Sequence, residues 1–319
     1  MRRFLLCAIF ATALVSPAAA QYPDKPIRFI VPQAAGSNTD LYSRLIAAEM
    51  SKTLGQQIVI ENKPGAAFTV GLDAIAKAPP DGYTIGMGLI GGLAIAPHMV
   101  AKLPYDIEKD FAPVAQVSNG FLILAVSPKS PLNSVKEVID YAKQNPGKLS
   151  NASSATGSPG HVGGELFKYL ADVKITHVPY RGGSGAVNDL IAGHVDLMFE
   201  GLQSIAPHVR EGRVKGIGVS GAKRSAAFPD MPTIKEAGVP DYLATTWLGV
   251  VAPAKTPRDI VDKLNKAVND ALKSPPVVAQ FKLTGDEAVG GTPEDYARLI
   301  KSDNAKWKDV VARSGARLE

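Results

Sequence analysis

Ile27-Arg28-Phe29-Ile30-Val31-Pro32-Gln33-Ala34-Ala35-Gly36-Ser37-Asn38-Thr39-Asp40-Leu41 is the stretch on which the fold turns. A short apolar run stops at Pro32, a small polar loop follows, and Leu41, Leu45, Ile46, Met50 and Leu54 then recur at helical spacing. That order reads as strand, loop and amphipathic helix. It repeats in a strand at residues 58–60, a helix at 70–77, the turn Pro79-Pro80-Asp81-Gly82 and a strand at 83–87. Strands alternating with helices predict an α/β chain with a mostly parallel sheet covered on both faces.

A second set begins with strands at 113–117 and 122–127 and a helix at 134–143. It continues with a strand at 149–152, a helix at 162–170, a strand at 175–178, a helix at 186–192, and strands at 196–199, 216–219 and 247–252. Three helices close the chain, and the last carries Tyr296, Leu299, Ile300, Trp307, Val310 and Val311 on one face. A chain of this length divides into about two cores. The expectation is a two-lobed fold with crossings near residues 124 and 250: lobe 1 from residues 21–124 and 251–319, lobe 2 from 125–250. Two α/β lobes joined by two crossing segments make a hinged cleft.

The amino terminus directs the chain outward. Arg2 and Arg3 precede an apolar run at residues 4–15, and Ala18, Ala19 and Ala20 precede Gln21, the layout of a signal peptide over residues 1–20. The run is too short for a membrane helix. Cys7 is the only cysteine and lies inside that run, so the mature chain has no disulfide, thiolate nucleophile or cysteine metal site. Export without disulfides points to the periplasm. Loss of Arg2 and Arg3 lowers the basic count from 35 to 33 against 30 acids. With no basic run longer than two, nucleic acid is not an expected partner.

Three loops between a strand and a helix are candidate binding elements. In the first, Gly36 permits a tight turn, Ser37, Asn38 and Thr39 offer polar side chains, and the helix N-terminus favours an anion; taken alone, the loop is more simply read as Thr39 or Asp40 serving as a plain N-cap. In the second, Asn151-Ala152-Ser153-Ser154-Ala155-Thr156-Gly157-Ser158 holds more hydroxyls than one cap requires. The third, Pro179-Tyr180-Arg181-Gly182-Gly183-Ser184-Gly185, adds a phenol and a guanidinium; Arg181 suits a bidentate carboxylate pair or simple solvation. Strand-end loops from both halves would face one cleft, where open α/β sheets bind ligands.

Positive evidence for catalysis or a cofactor is lacking. Gly86-Met87-Gly88-Leu89-Ile90-Gly91 matches the dinucleotide fingerprint, but the acidic residues about 20 positions on lie in an irregular segment rather than at a strand end; a glycine-rich cleft wall, with Gly91 facing ligand, is the simpler account. His98, His161, His177, His194 and His208 show no zinc spacing. Ser158 and His161 come nearest to a nucleophile and base, but three-residue spacing at a helix start is that of a cap. Glu200 and Asp196 end a strand near the cleft and suit a general base, the positioning of a ligand's amine or hydroxyl or, most simply, a structural role. No catalytic residue, metal or cofactor is expected.

Beside this reading stands a resemblance. Ala76-Lys77-Ala78-Pro79-Pro80-Asp81-Gly82-Tyr83-Thr84, residues 102–114, His177-Val178-Pro179-Tyr180-Arg181-Gly182, residues 195–199, and Ala222-Lys223-Arg224-Ser225 with residues 229–238 resemble the Bug family, the extracytoplasmic solute receptors of tripartite tricarboxylate transporters. The similarity runs from about residue 22 to 316. It implies a Venus-flytrap fold without cofactor that encloses a small carboxylate (a di- or tricarboxylate, an acidic amino acid or an aromatic acid) and presents its closed form to membrane transporter subunits. A sensing co-receptor for a signalling ectodomain is the alternative, and an exported hydrolase a remote one; a monomer is the expected state.

In the resemblance, loops at residues 34–40 and 64–69 grip one carboxylate through backbone amides and ordered water, while residues 153–158, 180–182 and 199–203 tune selectivity. This chain departs from the pattern. Ala35, Gly36, Ser37 and Asn38 stand where Pro-Gly-Gly is common. Ala67 and Phe68 follow Pro64-Gly65-Ala66 where a glycine pair is usual, so that Phe68 would narrow the cleft, stack on a ligand or fill the core. Glu200 replaces a shorter aspartate. These changes favour a monocarboxylate or aromatic acid.

Overall fold

The structure is a computed structural model describing residues 22–180 and 182–314. The expected signal peptide and Arg181 lie outside the described residues.

Strand β1 (Ile27–Val31) is buried at four of its five residues, as a strand covered on both faces must be. Helix α1 (Asn38–Leu54) turns Tyr42, Ile46 and Met50 inward and stops at Gly55, whose left-handed backbone (φ 70°) lets its N–H reach the Ser51 carbonyl at 3.0 Å. Then come β2 (Ile58–Asn62), a 3-10 turn at Ala66–Phe68, α2 (Thr69–Ala76) and β3 (Thr84–Leu89). Both β2 and β3 pair with β1 in parallel. A π-helical segment at Gly91–Ile95 leads into α3 (Ala96–Met99).

The strands expected at 113–117 and 122–127 are one strand, β4 (Phe111–Val126). Ser118-Asn119-Gly120 resembles a turn locally, but all three residues pair with the antiparallel strand β9 (Thr245–Pro253). Pro113 is accommodated at an irregularity in that ladder. Beyond Phe121, β4 changes partners. Residues 122–126 pair with β7 (Leu197–Gly201) and residues 123–126 with β8 (Lys215–Val219).

Between these elements lie α4 (Val135–Gln144), β5 (Ser150–Ser153), α5 (Pro159–Ala171), β6 (Thr176–Pro179), α6 (Gly183–Ala192) and, after β7, α7 (Leu202–Arg210). The chain closes with α8 (Arg258–Ala271), α9 (Pro275–Thr284), β10 (Glu287–Gly290) and α10 (Pro293–Ser314). The sequence reading did not mark α7 or β10.

One sheet therefore runs in the order β2-β1-β3-β9-β4-β7-β5-β6, with β8 and β10 also on β4. It is parallel in its two wings, where βα units alternate, and antiparallel around β4 and β9. The expectation of a mostly parallel sheet holds for the wings alone. Helix α8 covers the first wing, with Val261, Leu264 and Val268 in one core with Tyr42 and Ile46 of α1. Helix α10 buries Tyr296, Trp307, Val310 and Val311, the face read from its periodicity. Among the described residues no helix is long and apolar enough to cross a membrane.

Candidate functional site

At the C-terminal edge of β1 the α1 N-terminus is built by reciprocal capping. Ser37 is the N-cap: its Oγ accepts from the Asp40 N–H at 3.2 Å. The Asp40 carboxylate accepts from Gly36 N–H (2.9 Å), Arg44 Nε (3.0 Å) and Asn62 Nδ2 (2.9 Å). Burial opposes its ionisation, yet these hydrogen bonds together hold its carboxyl below the usual range. Gly36 takes the left-handed backbone (φ 80°) that this turn requires. Thus Gly36, Ser37 and Asp40 shape the loop, and Asn38 and Thr39 face a cavity of about 200 Å³.

The 3-10 turn keeps a glycine-like backbone without glycine: Ala67 and Phe68 have φ of 52° and 74°, a left-handed geometry that costs an L-residue roughly 1–2 kcal/mol. Ala66 belongs to this turn. The Phe68 ring lines the cavity and also packs on the core. A Cβ on Gly91 would come within 2.4 Å of the ring, so the end of the glycine-rich wall exists to admit it. Gly91 lines the cavity as well.

From the other side come Ser154, Pro159 and Gly160 at the head of α5, and Glu200, Gly201, Gln203 and Ser204 at the junction of β7 and α7. Gly160 has no alternative, because a Cβ there would sit 2.1 Å from the Phe199 carbonyl oxygen. The remaining loop residues have structural partners. The Ser153 hydroxyl bonds the Ala155 carbonyl (3.0 Å) and His177 Nε2 (2.7 Å). Ser158 caps α5, its Oγ accepting from the His161 N–H at 3.2 Å, while His161 Nδ1 accepts from Gly157 N–H. That pair is the cap its spacing implied. Tyr180 donates to Asp189 at 2.5 Å, and Thr156 lies in the loop away from the cavity wall.

The wall also contains residues that local patterns did not mark. Gln33, Ser118, Thr246, Trp247 and Asp286 all face the cavity. Trp247 is 1% exposed; its Nε1 donates to Asp303 at 2.6 Å and its ring meets Tyr296 edge-on. Asp286 is 7% exposed, and its Oδ2 accepts from Tyr42 Oη (2.9 Å) and from Gln203 Nε2. Nothing in the local sequence marks it: Asp286 directly precedes β10, a strand the periodicity does not reveal.

Charge in the cavity is one-sided. Glu200 and Asp286 line it, among the described residues no Lys, Arg or His does, and the buried atoms Glu200 Oε2 and Asp286 Oδ1 have no hydrogen-bond partner. Burial pushes Glu200 up to about 6, against the Gly201 N–H, and Asp286 up to about 7, against the Tyr42 hydrogen bond. A carboxyl whose folded value is raised binds protons in the native state. The stability it contributes is present at low pH and is lost as pH climbs from about 4 through 7. A shift of that size in Asp286 corresponds to about 4 kcal/mol, part of which relaxation recovers. The expected outcome is that Asp286→Asn is about 2 kcal/mol more stable than the parent at pH 8 and less than about 1 kcal/mol more stable at pH 5. His161 and His177, pushed down by burial to about 3 and 4, destabilise both proteins alike as pH falls below 6.5. Melts of the two proteins at both pH values check this, and an unchanged gap would contradict it.

Comparison with known proteins agrees with this architecture. A family model described as "Tripartite tricarboxylate transporter family receptor" matches residues 42–316. A "UPF0065 protein in tcbD-tcbE intergenic region" of Pseudomonas sp. (strain P51) is 37% identical over 315 residues, covering 97% of this chain and 94% of the relative. The solved structure "R. palustris Rpa4515 with adipate" is 37% identical with a TM-score of 0.82, covering 93% of this chain and all of that one. MatC from Rhodopseudomonas palustris, solved with bound malate, is 35% identical with a TM-score of 0.79, covering 91% of this chain and all of that one. The solved neighbours are two-lobed periplasmic receptors, not enzymes. With two α/β wings sharing β4, helix N-termini converging on one cavity, and a match over most of its length, the chain belongs to the tripartite tricarboxylate transporter receptor family.

Proposed function

We propose that this receptor captures a small carboxylate between its lobes in the periplasm, after removal of residues 1–20, and delivers it as a monomer to the membrane subunits of a tripartite tricarboxylate transporter. The observation that carries this reading is the cavity itself: the N-termini of α1 and α5, on opposite sides, open onto one space of about 200 Å³. Two such ends, each with a partial positive charge, suit a carboxylate without a cationic side chain.

In this reading Asn38, Thr39 and Ser154 contact the ligand. Gly36, Ser37, Asp40, Ser153 and Ser158 hold the loops that present them, and Phe68 sets the width. The adipate and malate of the two related structures support a carboxylate ligand. The lobes of the proposal are residues 21–124 with 251–319, and 125–250. The partner change of β4 after Phe121 and the pairing of β9 with β4 from Thr245 support a division through these two strands. Closure about them excludes water and strengthens each polar contact, a population shift driven by the ligand.

The test is a thermal-shift screen of residues 21–319, stripped of carried-over ligand by unfolding and refolding, against aliphatic dicarboxylates, hydroxy acids, amino acids and aromatic acids. A ligand at one hundred times its dissociation constant adds about 2.7 kcal/mol of stability. A clear shift with one of these classes is expected; a folded protein indifferent to every carboxylate would refute the reading.

A further inference from the structure

The polar groups of the cavity do not all suit a carboxylate. The α1 and α5 ends offer N–H donors. Glu200 and Asp286 offer only acceptors while ionised, and among the described residues no cationic side chain lines the cavity to offset them. An unsubstituted dicarboxylate would bring further negative charge toward two carboxylates, and like charges in a site with little water repel strongly.

Asp286 provides the more exact clue. Its Oδ2 is occupied by Tyr42 of α1 and Gln203 of α7, so the side chain is held from both sides of the cavity and cannot swing to water. Its Oδ1 is left buried and unpartnered beside Gly120 and Thr246, where β4 and β9 cross the cavity. Glu200 repeats the arrangement: Oε1 accepts from the Gly201 N–H at 2.9 Å and Oε2 is buried with no partner. A buried acceptor left unmade is costly, and two lining one cavity describe what the occupant must supply.

We propose that Asp286 Oδ1 and Glu200 Oε2 form an acceptor subsite for a hydrogen donor on the ligand, an ammonium or a hydroxyl, so that the receptor selects amino- or hydroxycarboxylates over unsubstituted carboxylates of the same length. This rests on the carboxylate-receptor reading and adds the second polar group of the ligand. Both donor types satisfy a carboxylate oxygen; an ammonium also neutralises charge.

Matched series decide it by calorimetry on residues 21–319: propionate, lactate and alanine; succinate, malate and aspartate; glutarate, 2-hydroxyglutarate and glutamate. In at least one series the hydroxy or amino member is expected to bind tenfold or more tighter than its unsubstituted parent, and which of the two wins identifies the donor. Asp286→Asn, whose amide oxygen still accepts from Tyr42 and Gln203, is expected to reduce that preference about tenfold; Glu200→Gln is the second variant should the first not fold. An unsubstituted acid that binds as well as or better than its substituted partners in every series that binds would overturn the subsite and leave the receptor reading intact. So would a preference untouched by either variant. A folded protein that binds no member of any series would overturn the receptor reading itself, and the subsite with it.

Discussion

Ser154→Trp is expected to weaken ligand binding more than a hundredfold while the protein stays folded. Ser154 lines a cavity of about 200 Å³, and an indole there would occupy most of the space the ligand needs. The side chain is only partly buried, and the local fold depends on the backbone: the Ser154 carbonyl accepts the Gly182 N–H at 2.8 Å whatever the side chain. A change of stability below about 1 kcal/mol is therefore expected. Ser154→Ala, which removes one hydroxyl and adds no bulk, should cost about tenfold in affinity or less. Calorimetry on the three proteins with the best ligand from the thermal screen tests the placement. Undiminished affinity in the tryptophan variant would place the ligand elsewhere.

Trp247→Ala is expected to show the largest loss of stability. Trp247 is 1% exposed, lies on β9 beneath the cavity, and meets Tyr296 of α10 with ring centroids 5.6 Å apart. Truncating a buried tryptophan to alanine costs about 3–5 kcal/mol through lost burial and the void left behind. Here a second loss adds to it. Burial pushes the Asp303 carboxyl up, and the Trp247 hydrogen bond opposes that push; without the indole the carboxylate loses its donor. Trp247→Phe keeps most of the apolar contact and removes only the N–H, so about 1–2 kcal/mol is expected. Urea unfolding followed by circular dichroism is the proper readout, because Trp307 would be the only fluorescent indole left. Equal losses in the two variants would mean that the hydrogen bond, and not the packing, governs this position.

Several features of the site were already visible along the chain. The loop after β1 was readable because every group that shapes it is close in sequence: Ser37 caps α1 three residues ahead of Asp40, and Asp40 reaches back four residues to Gly36. The loop after β5 has the same character. Here Ser158 caps α5, while Ser154 reaches the cavity. Local pattern did not separate the hydroxyls that cap from those that face ligand, since both kinds sit in the same few residues. Phe68 was visible as a departure from a glycine pair, but its seat against Gly91 depends on a chain segment beyond α2 and β3.

The sequence by itself determined the alternation of strands and helices, the capped loops that lead into α1 and α5 and the apolar face of α10, because each follows from residues within a few positions of one another. Only the tertiary structure decided that Ser118-Asn119-Gly120 is strand rather than turn, since its partner is β9, more than a hundred residues away. Asp286 belongs to the same class: it meets Tyr42 across 244 positions and Gln203 across 83. Cavity walls are built by pairings of this range, and an acidic residue acquires its meaning there from burial and from an oxygen left without a donor, neither of which any local window of sequence contains.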